Sequence, residues 1–138
     1  MKKIINTPEA PAPIGPYNQA VLSGNMLFIS GQIALLPGTS NLAGGDIKAE
    51  TKQVMKNLKA ILTEAGMDFS HVVKTTIFLS DMALFGDVNE MYGSFFTVET
   101  GTGGAGYPAR ETVAVKGLPK NVNVEISMIA SKRGSKKQ

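Results

Sequence analysis

The stretch Ala109-Arg110-Glu111-Thr112-Val113-Ala114-Val115, then Lys116-Gly117-Leu118-Pro119-Lys120-Asn121, then Val122-Asn123-Val124-Glu125-Ile126-Ser127-Met128-Ile129, decides the fold. Its two ends alternate apolar and polar side chains, and Gly117, Pro119 and Asn121 between them carry turn chemistry. That pattern predicts a β-hairpin of 109–115 with 122–129. Val113 and Val115 must then share a face with Val122 and Val124, because a one-residue slip would send half of these valines to water. The register pairs Val115 with Val122, Val113 with Val124 and Thr112 with Glu125. Arg110 falls diagonal to Glu125 on the second face, where diagonal neighbours are roughly 7–8 Å apart. A guanidinium and a carboxylate so placed suit recognition of an organic acid beside an activated water. They equally suit a surface salt bridge contributing about 0–1 kcal/mol.

Upstream, residues 20 to 33 alternate loosely and are split by Ser23-Gly24-Asn25, which predicts two short strands joined by a turn. After a loop rich in Pro, Gly and Ser, Asp46 is placed to cap a helix. Its apolar stripe is Val54, Leu58, Ile61, Leu62 and Ala65, and Gly66 stops it. Val72 to Leu79 is β-branched and apolar enough for a largely buried strand. Ser80-Asp81 then introduces a second amphipathic helix with Phe85, Val88, Tyr92, Phe95 and Phe96 on one side. The order strand, strand, helix, strand, helix, strand, strand predicts an α+β chain with a mixed sheet and both helices packed on one face. The other sheet face would keep apolar side chains in water in a monomer, which implies a closed oligomer.

The chain of 138 residues has 43% hydrophobic and 18% charged residues, an ordinary globular composition for a single domain. We assign that domain to residues 1–131 and read 132–138 as a basic, flexible tail. Lys132, Arg133, Lys136 and Lys137 lie in this tail, so of the formal charge of +3 the rest of the chain carries −1. A basic stripe of the kind that binds nucleic acid is therefore not expected on the fold, and there is no Trp to stack bases. Cysteine is absent, which removes disulfides, thiolate metal sites and thiol nucleophiles. Lys2-Lys3 is followed by only Ile4-Ile5 before polar residues, so no signal peptide is expected, and no stretch is long and apolar enough to span a membrane. The expected location is cytoplasmic.

Several candidate motifs have plainer readings. Gly101 to Gly106 spells G-x-G-x-x-G, yet a helix precedes it and a strand follows, the reverse of the dinucleotide-binding context, so no cofactor is expected and the run reads as a loop beside a site. His71 is the only histidine and reads as a surface residue; neither a metal cluster nor a Ser/His/Asp triad has its minimum parts. Ser30 lacks a signalled base and reads as a hydrogen-bonding residue. Asp46, Glu50, Glu64 and Asp68 read as capping or solvated-face residues. Tyr17, after Ile14-Gly15-Pro16, offers a hydroxyl on an otherwise packing side chain. No internal repeat of fixed period occurs.

Together these pieces resemble the RidA (YjgF-like) reactive-intermediate deaminase family from Ile14 to Ala130. The resembling stretches are Ile14-Gly15-Pro16-Tyr17 with Gln19-Ala20, Ser30-Gly31-Gln32, Val73 to Leu79, Val88-Asn89 with Tyr92 and Phe95-Phe96, Pro108-Ala109-Arg110, and Leu118-Pro119-Lys120 with Val124-Glu125-Ile126. The resemblance implies a chorismate-mutase-like α+β subunit, a homotrimer with sites between neighbouring subunits, and cofactor-free, metal-free hydrolysis of enamines or imines. The substrates it implies are short 2-imino acids such as 2-iminobutyrate and 2-iminopropanoate, released by pyridoxal-phosphate dehydratases and converted to 2-oxo acids and ammonia.

By position, the resemblance makes Arg110 the carboxylate-binding residue and Glu125 the residue that positions water. Tyr17, Ser30 and Asn89 become polar site residues, Gly31 a backbone contact, and Thr112 the occupant of a place where many members carry cysteine. Its backbone carbonyl could still hold a water there, but oxidation-linked switching at that position cannot operate. Ser127 departs from a frequent second glutamate, and the Gly-rich run resembles an insertion. Two other readings stand beside this one. They are an endoribonuclease or translation-inhibiting activity, disfavoured by the slightly negative body and the single histidine, and non-catalytic binding of 2-oxo acids through Arg110.

Overall fold

The computed structural model describes residues 1–100 and 106–132. The expectations for the Gly-rich run at 101–105 and for the tail at 133–138 lie outside the described residues. The elements in chain order are β1 (Lys2–Ile5), β2 (Ala20–Ser23), β3 (Met26–Gln32), α1 (Ile47–Glu64), β4 (Val72–Leu79), α2 (Phe85–Thr100), β5 (Ala109–Ala114) and β6 (Val124–Ser131). They build one mixed sheet in the order β1-β2-β3-β6-β4-β5. Among the described residues no helix is long and apolar enough to cross a membrane.

The first helix begins and ends on the expected signals. Asp46 Oδ1 accepts from the Ala49 N–H at 2.9 Å, and Gly66 takes φ +74° after the last turn of α1. Met67 N–H reaches Leu62 O and Gly66 N–H reaches Thr63 O, the paired bonds that close a helix at a left-handed residue. Asp81 caps a short 3₁₀ turn, Met82–Leu84, which leads into α2, so α2 starts a turn later than the sequence suggests. The helices bury their stripes on one sheet face. Val54, Leu58, Ile61 and Leu62 of α1 and Val88, Tyr92 and Phe96 of α2 meet Leu27, Ile29, Ile77, Leu79, Val124 and Ile126. Phe96 packs its ring 5.2 Å from Phe69 and 4.8 Å from Tyr92. Side chains of this size contribute roughly 1.5–3 kcal/mol each when fully buried.

β1 was not legible in the sequence. It is a short edge strand antiparallel to β2, with Lys2 and Lys3 exposed and Ile5 as its buried anchor, an arrangement that discourages edge-to-edge aggregation.

The predicted hairpin does not form. β5 pairs in parallel with β4 (Arg110 opposite Thr75, Thr112 opposite Ile77), and β6 pairs antiparallel with the other edge of β4 (Glu125 opposite Phe78, Val124 opposite Leu79). The reason is topological. A strand, helix and strand in succession return the second strand parallel to the first, so β4, α2 and β5 form one crossover unit, and β6 takes the edge of β4 that remains. The local turn chemistry at 117–121 instead shapes a nine-residue crossing from β5 past the end of β4, with Lys120 and Asn121 at positive φ.

The register expectations fall with the hairpin. Arg110 and Thr112 share the helix-covered face with Thr75 and Ile77, whereas Glu125 shares the uncovered face with Phe78. Val113 is not in the core but on the uncovered face, 46% exposed, and Phe28 and Val73 are also open to solvent. Lys74 and Thr76 both bond the Glu111 carboxylate on that face. Arg110 and Glu125 of one chain are thus on opposite sides of the sheet, with strand spacings that set their Cα atoms roughly 14 Å apart.

Candidate active site

Two cavities gather the predicted site residues into separate groups. The first lies at the β5 edge on the helix side, holds about 280 Å³, and is lined by Asn89, Tyr92, Gly93, Tyr107, Pro108 and Arg110. α2 supplies Asn89 and Tyr92, one turn apart, and β5 supplies Arg110 opposite Thr75. Among the described residues no carboxylate pairs with Arg110, so its in-plane donors are free for a ligand. Tyr92, buried, donates from its hydroxyl to Thr75 Oγ1 at 2.9 Å, and burial pushes its phenol above the ordinary value, which keeps the donor proton in place. Thr112 lies two residues from Arg110 on the same face. Its Oγ1 is the one buried side-chain polar atom without a hydrogen-bond partner among the described residues.

The second cavity is a narrow cleft of about 40 Å³ bounded by the 11–14 segment, Tyr17, Gly31, Pro119 and Glu125. Such a space is sufficient for a few water molecules. Burial raises the Glu125 carboxyl above the usual carboxylate range. The carboxyl lies over Gly31, which belongs to a bulge where Ser30 and Gly31 together face Ser127 alone. Tyr17 closes a tight turn: its hydroxyl accepts from the Ile14 N–H at 3.2 Å, and its own proton remains available. Ser30 is adjacent, but its hydroxyl donates to Asn18 O at 2.7 Å and does not line the cleft.

Gln19, Asn57 and Glu50, to which the sequence assigns no part in a site, tie down the segments around this cleft. Gln19, 2% exposed, accepts from the Thr7 N–H and donates to the carbonyls of Thr7, Ala10 and Pro11, which fixes the 7–13 loop. Asn57 of α1 donates to the carbonyls of Ile33 and Leu35 beyond β3. Glu50 is not simply a solvated-face residue. Its two carboxylate oxygens accept from the Asn123 N–H and side-chain amide, tying the crossing loop to α1 just before Glu125. Buried amides are generic in sequence, and only their bonded carbonyls reveal the role.

His71 is also not the surface residue expected: its side chain is 15% exposed and its Nδ1 accepts from the Asp68 N–H in a capping box. Because Nδ1 accepts there, the short approach to Asp68 Oδ1 is not a hydrogen bond of the neutral ring. Tyr107, unremarked in sequence, lines the first cavity, with its hydroxyl beside Gly93.

Residues 7–132 match the family model described as endoribonuclease L-PSP. The chain is 48% identical over 132 residues to a RutC family protein of Pyrococcus horikoshii, covering 96% of this chain and 99% of that one. It is 45% identical to the 2-iminobutanoate/2-iminopropanoate deaminase of Mus musculus, covering 94% and 91% of the two chains. Its fold superposes on the crystal structure of Escherichia coli TdcF with bound serine at a TM-score of 0.87, with 40% identity over 94% of this chain and 98% of that one.

Proposed function

The chain belongs to the endoribonuclease L-PSP family, which takes in the RutC and RidA/YjgF proteins, and from that premise we propose that it is an imine deaminase. Its substrates are short 2-imino acids, hydrolysed to 2-oxo acids and ammonia without a cofactor. The observation that carries this reading is the division of labour between two cavities. The Arg110 side has room and charge for a small organic acid, and the Glu125 side sets a carboxyl beside space for a few water molecules.

Because these residues face opposite sides of one sheet, a complete site takes Arg110 from one subunit and Glu125 from its neighbour in a homotrimer. The exposed apolar side chains of the uncovered face, Phe28, Val73 and Val113, suit burial against another copy. Arg110 clamps the substrate carboxylate through two parallel donors, fixing orientation as well as charge. Asn89 from the same cavity and Tyr17 from the other supply further hydrogen bonds, while the Thr112 backbone borders the reacting carbon.

Glu125 holds water on the imine carbon and takes a proton as the C–O bond forms. Its raised proton affinity brings it nearer to the working range of a general base. The imine nitrogen gains a proton from solvent to give the carbinolamine; Glu125 then returns its proton to that amine, the hydroxyl releases its own proton to solvent, and the C–N bond breaks, freeing ammonia and leaving the carbonyl. An imine hydrolyses spontaneously, so positioning plus one proton transfer, the latter worth about 10²–10⁴-fold, is adequate catalysis. The producers of such imines are pyridoxal-phosphate dehydratases acting on serine or threonine.

The direct test couples the protein to a threonine dehydratase and follows disappearance of freshly formed 2-iminobutyrate. Acceleration by the parent protein is expected, with most of it lost in Arg110→Lys at unchanged oligomer size. No acceleration by the parent, or full activity in the lysine variant, contradicts the reading.

A further inference from the structure

Among the described residues Arg110 is held by rings rather than by an acid. Its guanidinium carbon lies 5.1 Å from the Tyr92 ring centroid and 5.6 Å from that of Phe85, both within the range of a favourable cation–π contact. The two rings project from one stripe of α2, seven residues apart, and Asn89 falls between them. Tyr92 is the fixed member, buried and bonded to Thr75, the residue directly opposite Arg110 in the sheet. Phe85, 37% exposed at the first position of α2, is the outer member.

An arginine in a recognition site needs an orientation and a compensating charge. A carboxylate would supply both, but it would occupy the same in-plane N–H fork that a substrate must use. Ring faces supply negative potential and hold the side chain while leaving those donors unspent. We infer that Phe85 and Tyr92 are positioning residues for Arg110: an aromatic support that orients the guanidinium and balances its charge without consuming its hydrogen-bond donors. This inference rests on the reading of Arg110 as the carboxylate clamp.

Phe85 carries the test because it is partly exposed and outside the principal core cluster, whereas loss of the buried Tyr92 ring would disturb folding. The variants are Phe85→Leu, Phe85→Trp and Phe85→Glu, compared with the parent and with Arg110→Lys. Binding of 2-oxobutyrate is measured by calorimetry, steady-state hydrolysis of 2-iminobutyrate gives KM and kcat, and thermal unfolding reports stability. For Phe85→Leu, Kd and KM should rise about three- to ten-fold, a loss in the range of a partly desolvated cation–π contact. Phe85→Trp should restore parental values. Phe85→Glu should bind more weakly than Phe85→Leu, since its carboxylate competes for the fork.

Equal Kd in the leucine and parent proteins, while Arg110→Lys binds weakly, overturns the aromatic support and leaves the clamp standing. Failure of the parent to bind 2-oxobutyrate, or undiminished binding by Arg110→Lys, overturns both. Weak binding by the leucine variant that tryptophan does not rescue assigns Phe85 to shape alone and overturns the charge-balancing role.

Discussion

A Cβ placed on Gly31 would lie 2.1 Å from Glu125 Oε2, so the absence of a side chain at position 31 is what lets the carboxylate rest over the β3 bulge. Gly31 does not occupy the left-handed region, so alanine there brings no backbone strain, and the clash falls on the movable end of a side chain. Gly31→Ala should fold with a nearly parental melting temperature and still bind 2-oxobutyrate through Arg110. Its turnover should fall by roughly ten- to a hundred-fold, the effect of a misplacement near 1 Å. Kinetics and thermal unfolding of the same sample check this, and parental turnover would show that the position of Glu125 is immaterial.

The Glu125 carboxyl also makes stability depend on pH. Its folded pKa is raised by burial, so between the ordinary glutamate value and the raised one the folded state holds more protons than the unfolded state, and stability falls as pH rises through that window. Glu125→Gln is neutral at every pH. It should be more stable than the parent at neutral pH, with the gain vanishing below the ordinary glutamate pKa, while turnover is impaired and 2-oxo acid binding is kept. Urea unfolding from pH 3 to 8 reads the difference; a gain that persists in acid would assign it to something other than ionisation.

Thr112 carries a hydroxyl that is buried without a partner among the described residues, an arrangement that costs about 1–3 kcal/mol. Thr112→Val keeps the branched shape and removes the orphan group. It should raise the melting temperature by a few degrees, and if only the backbone at this position serves the reaction, kcat/KM should stay at the parental value. A lowered kcat/KM in a stabilised variant would assign the hydroxyl itself to the substrate.

Gln19 tests whether the water-side cleft is a built feature. Gln19→Leu leaves the Thr7 N–H and the carbonyls of Thr7, Ala10 and Pro11 without their bonded amide, and should lower stability by about 2–4 kcal/mol. The 280 Å³ cavity around Arg110 shares none of these residues, so 2-oxobutyrate binding in the folded fraction should survive while turnover falls. Equal loss of binding and turnover would show that the two cavities do not act separately.

Much of this molecule was readable from spacing alone. Asp46 and Gly66 bound α1, Val72–Leu79 is β4, the stripe from Val88 to Phe96 faces the core while its expected first member Phe85 stays 37% exposed, and one sheet face is left uncovered. The hairpin was misread because alternation and turn residues are local signals, whereas the partner of β5 is chosen by the α2 crossover that precedes it. That error had a chemical consequence. Arg110 and Glu125 were expected as diagonal neighbours, but β4 lies between them and turns them to opposite faces. β1 was hidden because two of its four residues are lysines, and Gln19, Asn57 and Glu50 because a polar side chain does not announce which carbonyl or amide it will meet. The family resemblance rested on motifs spread along the whole chain, which the misplaced strand pairing did not disturb.

The shared site between copies is tested most directly by mixing two damaged proteins. Arg110→Lys and Glu125→Gln, each assayed alone, should be nearly inactive toward 2-iminobutyrate. After co-expression or subunit exchange, hybrid oligomers confirmed by native mass spectrometry should regain activity, up to about a quarter of the parental value. That is the share of interfaces pairing an intact arginine with an intact glutamate when equal amounts assemble at random in a closed ring. Hybrids that form and remain as inactive as either variant would contradict a catalytic centre composed of Arg110 from one subunit and Glu125 from the next.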